Sequence, residues 1–339
     1  MRAVRYHGPG QPFRLDEVPT PEPRAGEVRV RIVAAGVCHT ELHFESGLLN
    51  LGVAPLTMGH EIAGVIDQVG EGVSSGRVGD RVLVYYYLGC GECEWCRRGE
   101  ENLCDQLRAE YGFFNDGGYA EHIVVPARNA VALPDALSLE EAAPIGCGVT
   151  TAIHACNLAD VREGETVVVY GVGAVGYGLI QVARLRGARV LAVGRTQRKL
   201  DLARELGAEH TINARETGDI AGAVREWTGG RGADAVMELV ATAETMEQAT
   251  RMLAKRGRLV FIGYSEDAYT VHPIQLVITE ARVMGAVGNT LAELEEAVAL
   301  VAAGRVRTLV DRVLPLERFD EGLDALRAGE VVGRVVLNP

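Results

Sequence analysis

Apolar and basic residues alternate through Val28-Arg29-Val30-Arg31-Ile32, the period of a strand with one face buried. Ile62–Val69, Arg81–Tyr86 and Tyr119–Val125 are dense in Val, Ile and Tyr, and turn residues such as Gly79-Asp80 and Asp116-Gly117-Gly118 bound them. Pro19, Pro21 and Pro23 hold their segment extended. The pattern predicts a β-rich unit from the N-terminus to about Asp135.

From Ser138 the rhythm changes. Ser138 has the chemistry of a helix N-cap, with Glu140 and Glu141 in the first turn. Strands are then predicted near Thr166–Tyr170, Arg189–Val193, Glu209–Ile212, Asp234–Leu239, Arg258–Ile262 and Arg282–Ala286. Helical patterns fall between most of them, as at Ala174–Arg186 and Gln197–Leu206. Six short apolar strands with helical crossovers predict an α/β fold, a parallel, doubly wound sheet. Two further helices, near Leu291–Ala303 and Leu316–Ala328, and a strand at Arg334–Leu337 do not extend that pattern. They are expected to return to the first unit.

A chain of 339 residues with 47% hydrophobic content has room for about two domains. It contains no apolar run of about 18 residues and no basic-then-apolar leader, so neither a membrane span nor a signal peptide is predicted. A cytoplasmic protein is expected. The net charge of −12 argues against nucleic acid or an anionic membrane as the main partner.

The seven cysteines change the picture most. Without a secretion signal their thiols should stay reduced, and clustered spacing then points to metal. Cys90, Cys93, Cys96 and Cys104 form C-x2-C-x2-C-x7-C, four thiolates able to close a tetrahedral zinc site. An iron–sulfur cluster is the rival. Its usual run continues x3-Cys-Pro, whereas here Cys104 comes later and precedes Asp105, so zinc is preferred. A second set is Cys38, His60 and Cys147, with Glu61 beside His60 as a further ligand. Three protein ligands leave a fourth position open, as a catalytic zinc requires. Spacing does not decide this set; the fold must bring it together. Thr40 and His43 follow Cys38 closely and could carry a proton out of a buried site. Cys156 is out of helical phase with Cys147 and is expected to be an ordinary buried thiol.

Thr166–Tyr170 runs into Gly171-Val172-Gly173-Ala174-Val175-Gly176, and a helix follows. G-x-G-x-x-G between a strand and a helix marks a dinucleotide site. The first glycine makes the turn, the second admits the pyrophosphate, and the third lets helix and strand pack. The tip of the next strand reads Val193-Gly194-Arg195-Thr196, and no carboxylate occurs from Gly187 to Lys199. An NAD site usually places Asp or Glu there for the ribose 2′-hydroxyl. A guanidinium and a small hydroxyl suit a 2′-phosphate instead, so NADP(H) is favoured over NAD(H), with Arg195 as the main contact.

Together, Gly59-His60-Glu61-Ile62-Ala63-Gly64, the lobe ending Asn102-Leu103-Cys104, and the Gly171–Gly176 loop resemble zinc-dependent medium-chain alcohol dehydrogenases over essentially the whole chain. The resemblance implies a GroES-like catalytic domain over 1–146, completed by 288–339, and a Rossmann domain over 147–287. Two zinc ions per chain are implied, and a cleft between the domains for zinc and nicotinamide. Cys38, His60 and Cys147 match the catalytic ligands and Glu61 their acidic neighbour. Thr40 matches the hydroxyl that takes the alcohol proton, and His43 the end of the relay. His39 matches a pyrophosphate contact, Thr151 a nicotinamide contact, and Arg334 an arginine on the phosphates. Glu41 stands where the family often has Asp supporting the histidine ligand.

The implied reaction is hydride transfer between an alcohol and an aldehyde or ketone. Tyr85, Tyr86, Leu88 and Trp95 are candidates for the pocket wall. A homodimer or homotetramer is implied, joined at the Rossmann sheet edge. The rivals are a polyol or other medium-chain dehydrogenase using NAD(H), or a cofactor-binding scaffold with structural zinc alone.

Overall fold

The alternation at Val28–Ile32 belongs to an eleven-residue strand, Glu27–Val37, in the computed structural model, which describes residues 1–339. Val28, Val30 and Ile32 face the core. This strand pairs antiparallel with Glu61–Val69, His122–Pro126 and Arg334–Asn338. Arg81–Val84, Ala130–Ala132 and Val310–Pro315 complete a seven-stranded sheet. The C-terminal strand Arg334–Asn338 thus lies inside the sheet, between Glu27–Val37 and Val310–Pro315.

Two expected strands are shorter than their composition indicated. Tyr119 does not extend His122–Pro126, because Gly117, Gly118 and Tyr119 donate their N–H groups to Thr57, Gly59 and Met58. The strand from Arg81 ends at Val84, and Tyr85 N–H turns to Asn129 O (2.8 Å). The ring of Tyr119 is fully buried and its hydroxyl donates to Gly36 O (2.9 Å). A Cβ on Gly59 would come within 2.4 Å of that ring, so glycine is required there.

By contacts the chain divides into Met1–Thr150 with Asn289–Pro339, and Thr151–Gly288. The second unit holds six parallel strands: β1 (Thr166–Tyr170), β2 (Arg189–Gly194), β3 (His210–Asn213), β4 (Ala233–Glu238), β5 (Leu253–Phe261) and β6 (Arg282–Gly285). Their order is β3-β2-β1-β4-β5-β6, the doubly wound topology with its switch between β1 and β4. Every residue of β1 is buried, so an unbroken apolar run was its signature. β5 begins before the expected Arg258, with an irregular register that follows Ala233 and a left-handed Arg256 (φ 59°).

Ser138 caps Leu139–Ala142 through a reciprocal bond with Glu141. Thr290 and Glu293 cap Leu291–Ala302 in the same way. No helix is long and apolar enough to cross a membrane.

Candidate metal and dinucleotide sites

The four cysteines of the lobe converge. Cys90 Sγ lies 3.9 Å from Cys96 Sγ, and Cys93 Sγ lies 3.8 Å from Cys104 Sγ. Four sulfurs about 2.3 Å from one tetrahedral zinc would stand about 3.8 Å apart, whereas a disulfide would bring a pair to about 2.05 Å. The spacing fits a single ion. Backbone N–H groups of Glu92 and Cys93 point at Cys90 Sγ, those of Cys90 and Gln106 at Cys104 Sγ, and that of Cys96 at Cys93 Sγ. Such bonds favour thiolates. The lobe is tied down by Glu101, which accepts from Gly89 N–H (2.8 Å) and from both arms of Arg128.

The second set is assembled by strand register. Gly36 is paired with Glu61, so Cys38 leaves one strand beside the point where His60 enters the other. Cys147 arrives on a π-type turn, Ile145–Val149, a geometry that often marks functional sites. A Cβ on Gly146 would sit 3.6 Å from Glu61 Cα and 3.8 Å from His60 O, so that turn packs on the His60–Glu61 backbone. Ligand atoms of Cys38, His60, Glu61 and Cys147 all lie within 4.8 Å of one another. Two sulfurs, an imidazole and a carboxylate form a donor set that zinc accepts. Glu61 Oε2 is buried with no hydrogen-bond partner, as an atom reserved for an ion would be. The hydrogen bond with Cys147 and the charges of Arg334 and His60 hold the Cys38 thiol well below its usual range despite burial. Burial pushes Glu61 up to about 7, against the pull of Arg334.

Around this set the remaining residues divide. Thr40 is buried and its Oγ1 donates to Cys38 Sγ (3.6 Å). His43 lies a turn further along the helix Thr40–Ser46, half-buried, and burial lowers its pKa. His39 is exposed at the N-terminus of that helix. Arg334, which the resemblance placed on phosphates, is buried: it lies 2.6 Å from Glu61 Oε1 and donates to Val37 O (3.3 Å). The cause is register, since Val335 pairs with Val37 at the Cys38 end of the central strand. Glu41 Oε2 accepts from Cys38 N–H (2.8 Å), which leaves Glu41 Oε1 and His60 Nδ1 each without a partner.

Tyr86 meets His60 edge-on (5.3 Å between centroids), and Phe113 stands 5.0 Å from His60 and 6.0 Å from Tyr86. Tyr85 instead binds Asn289 O, Leu88 lies in the short strand Tyr87–Leu88, and Trp95 sits in the lobe under Arg98. The sequence reading missed Phe113 and Asn289. Phe113-Phe114 ahead of Asn115-Asp116-Gly117 was the available signal for the first. Asn289 had none. Cys156 is fully buried.

In the second unit Gly171 has φ 116°, and a Cβ on Gly176 would lie 2.2 Å from Gly171 O, so neither tolerates a side chain. A Cβ on Gly173 would meet nothing within 4 Å. Gly173 is also the N-cap of Ala174–Leu185 and supplies no capping side chain. Open space at Gly173, before the first turn of Ala174–Leu185, is the kind of cradle a pyrophosphate could fill. Gly194 is buried at the tip of β2, and Arg195 and Thr196 stand exposed after it. A Cβ at Gly194 would lie 2.5 Å from Val172 Cγ2 and 3.1 Å from Leu200 Cδ2, so an acid at this position has no room without a shift. Thr151 is buried in the first turn of Thr150–Leu158.

Residues 24–135 match the alcohol dehydrogenase GroES-like domain and residues 174–303 the zinc-binding dehydrogenase domain. An alcohol dehydrogenase of Geobacillus stearothermophilus is 37% identical, with 99% of each chain covered. The chain belongs to the zinc-dependent medium-chain alcohol dehydrogenases. An NAD-dependent alcohol dehydrogenase of Sulfurisphaera tokodaii is 36% identical over 100% of both chains. The crystal structure of the alcohol dehydrogenase from the archaeon Aeropyrum pernix superposes with a TM-score of 0.94 at 35% identity, covering 100% of each chain. Within the alcohol dehydrogenase family the α/β Rossmann and GroES-like architecture and the need for zinc and a nicotinamide cofactor are common ground, and the four-cysteine lobe of this member fits its zinc.

Proposed function

We propose that this alcohol dehydrogenase interconverts primary or secondary alcohols with aldehydes or ketones, and that it uses NADP(H) in preference to NAD(H). The observation that carries the reaction is the buried meeting of Cys38, His60, Glu61 and Cys147. Cys38, His60 and Cys147 would hold a catalytic zinc, with Glu61 available during ligand exchange, while Cys90, Cys93, Cys96 and Cys104 hold a structural one. When bound, zinc supplies a Lewis acid and the nicotinamide a hydride acceptor. Thr40 Oγ1 takes the proton of the alcohol hydroxyl. His43, kept neutral by burial, accepts it and releases it to solvent. The alcohol loses one proton by this route and one hydride to the cofactor, and leaves as a carbonyl compound.

Gly171, Gly173, Ala174, Val175 and Gly176 hold the pyrophosphate, and Thr151 of the same unit faces the nicotinamide. Arg334 is paired with Glu61, and on the resemblance it also contacts the cofactor phosphates. Tyr86 and Phe113 form an apolar wall beside His60, which suits bulky or aromatic substrates. Cys147, where polyol-type members often carry Glu, favours simple alcohols. The preference for NADP(H) rests on Gly194, Arg195 and Thr196. NAD(H) is the second reading, favoured by the relative from Sulfurisphaera tokodaii, which is NAD-dependent.

We further propose a homo-oligomer. β6 ends the sheet with an unpaired edge, and Ile274, Val277 and Ile278 of the same unit are 64%, 70% and 66% exposed. A second copy can satisfy such an edge by pairing with it antiparallel across a twofold axis. Seven free thiols suit the reducing cytoplasm. The deciding experiment combines zinc analysis with kcat/KM for a panel of alcohols and carbonyls using each cofactor. Two zinc ions per chain and higher kcat/KM with NADP support the reading. One zinc and no turnover refute the enzyme, and higher kcat/KM with NAD refutes the cofactor preference. A monomer by light scattering refutes the oligomer.

A further inference from the structure

Asn289 opens the segment that returns to the first unit, and its side chain is completely buried. Its Nδ2 donates to Gly146 O (3.5 Å) and to Tyr86 Oη (3.4 Å), while its backbone carbonyl accepts from Tyr85 Oη (3.1 Å). A carbonyl can only accept, so Gly146 fixes which way the amide points. Asn289 Oδ1 is then left buried with no partner. Burying an amide with one end unpaired is costly, and an apolar side chain would avoid it. The two Nδ2 bonds are what the asparagine provides in return.

Both bonds act on the metal set at one remove. Gly146 precedes Cys147, and its carbonyl also receives Thr150 Oγ1 (3.0 Å). Tyr86 places its ring edge-on against His60. One amide therefore joins the turn that carries Cys147 to the ring that backs His60. The obvious local task, capping the helix Leu291–Ala302, is already performed by Thr290 with Glu293.

We propose that Asn289 is a positioning residue that holds Cys147 in register with His60 and so fixes the ligand geometry of the catalytic metal. The inference rests on the catalytic-zinc reading above. Two variants test it: Asn289→Ala removes the amide, and Asn289→Asp keeps its shape while replacing the donor with an acceptor. In each, zinc per chain and zinc release to a chromogenic chelator are measured. The visible absorption of the cobalt-substituted protein is recorded, and kcat and KM are determined separately. One zinc should leave roughly 10–100-fold faster than in wild type, while the four-cysteine zinc leaves at its wild-type rate. The cobalt–thiolate bands should shift. The rate constant kcat should fall about tenfold or more, with KM for the cofactor unchanged.

A residue that merely stabilises the fold would lower the melting temperature and leave release rates and cobalt bands as in wild type. That outcome in folded Asn289→Asp overturns the proposal, even if Asn289→Ala does not fold. Wild-type protein that binds zinc only in the lobe would instead remove the catalytic-zinc reading, and this inference with it.

Discussion

Arg195→Ala should separate the two cofactors. A guanidinium on a phosphate makes charge-assisted hydrogen bonds, each worth about 1.5–3 kcal/mol. Arg195 is exposed at the tip of β2, where water and salt weaken the contact, so the lower part of that range applies, about 2 kcal/mol. At about 1.4 kcal/mol per decade this is a loss of about 30-fold in kcat/KM with NADP. NAD has no 2′-phosphate, and its kcat/KM should change less than about threefold on the same arithmetic. The assay is initial-rate kinetics at saturating alcohol with each cofactor varied, at low and high ionic strength. The loss with NADP should shrink as salt rises. A parallel fall with both cofactors, or a loss indifferent to salt, would refute the 2′-phosphate contact. The reciprocal change, Gly194→Asp, should move preference toward NAD and destabilise the protein by about 1–3 kcal/mol. Its Cβ must displace Val172 Cγ2 from 2.5 Å.

Cys38→Ser should leave one zinc per chain and abolish turnover, with cofactor binding by fluorescence retained; near-normal turnover in a folded, zinc-poor variant would contradict the role given to the site. His43→Ala should slow alcohol oxidation most in a pH window that opens below the usual histidine range, because burial lowers the pKa of the imidazole it replaces, and should converge with wild type at high pH, where solvent base takes the proton. An unchanged pH–rate profile would remove His43 from the relay. Burial alone would raise the carboxyl of Asp234, but the Arg231 ion pair (2.6 Å) and Thr166 N–H (2.8 Å) outweigh it and the pKa falls. A depressed acid stabilises the fold above its unfolded pKa and loses that contribution as pH drops through the folded value. Asp234→Asn should therefore melt roughly 2–4 °C lower at pH 7, with the gap narrowing below about pH 4; a gap independent of pH would contradict this.

The parts of the molecule that depend on neighbours in sequence were legible. β1 runs into its glycine loop within a dozen residues, and each glycine there has a local reason. The four-cysteine lobe is likewise written in spacing. The catalytic set is different, because nothing in the distance from Cys38 to Cys147 says that they meet. They meet because Gly36 pairs with Glu61 and because the Cys147 turn packs on that ladder. Register of that kind is a tertiary property, and only the family resemblance carried it. Two contacts of the site lay outside it. Arg334 is drawn to Glu61 by the pairing of Val335 with Val37, and Glu41 reaches Cys38 N–H in place of the histidine. Asn289 has no sequence signature, since its meaning lies in partners more than a hundred residues away.

The placement of Arg334–Asn338 inside the first sheet has a consequence for biosynthesis. The β1–β6 sheet is contiguous in sequence and can form while the ribosome is still at work. The older-synthesised N-terminal strands cannot close their ladder until Arg334–Asn338 has been translated and has cleared the exit tunnel. Through that interval the Ala35–Val37 end of Glu27–Val37, and the whole of Val310–Pro315, lack their partner strand. A nascent polypeptide stalled ahead of Arg334 should therefore be recognised by chaperones and cleaved by proteases in its first half, while its Rossmann portion resists.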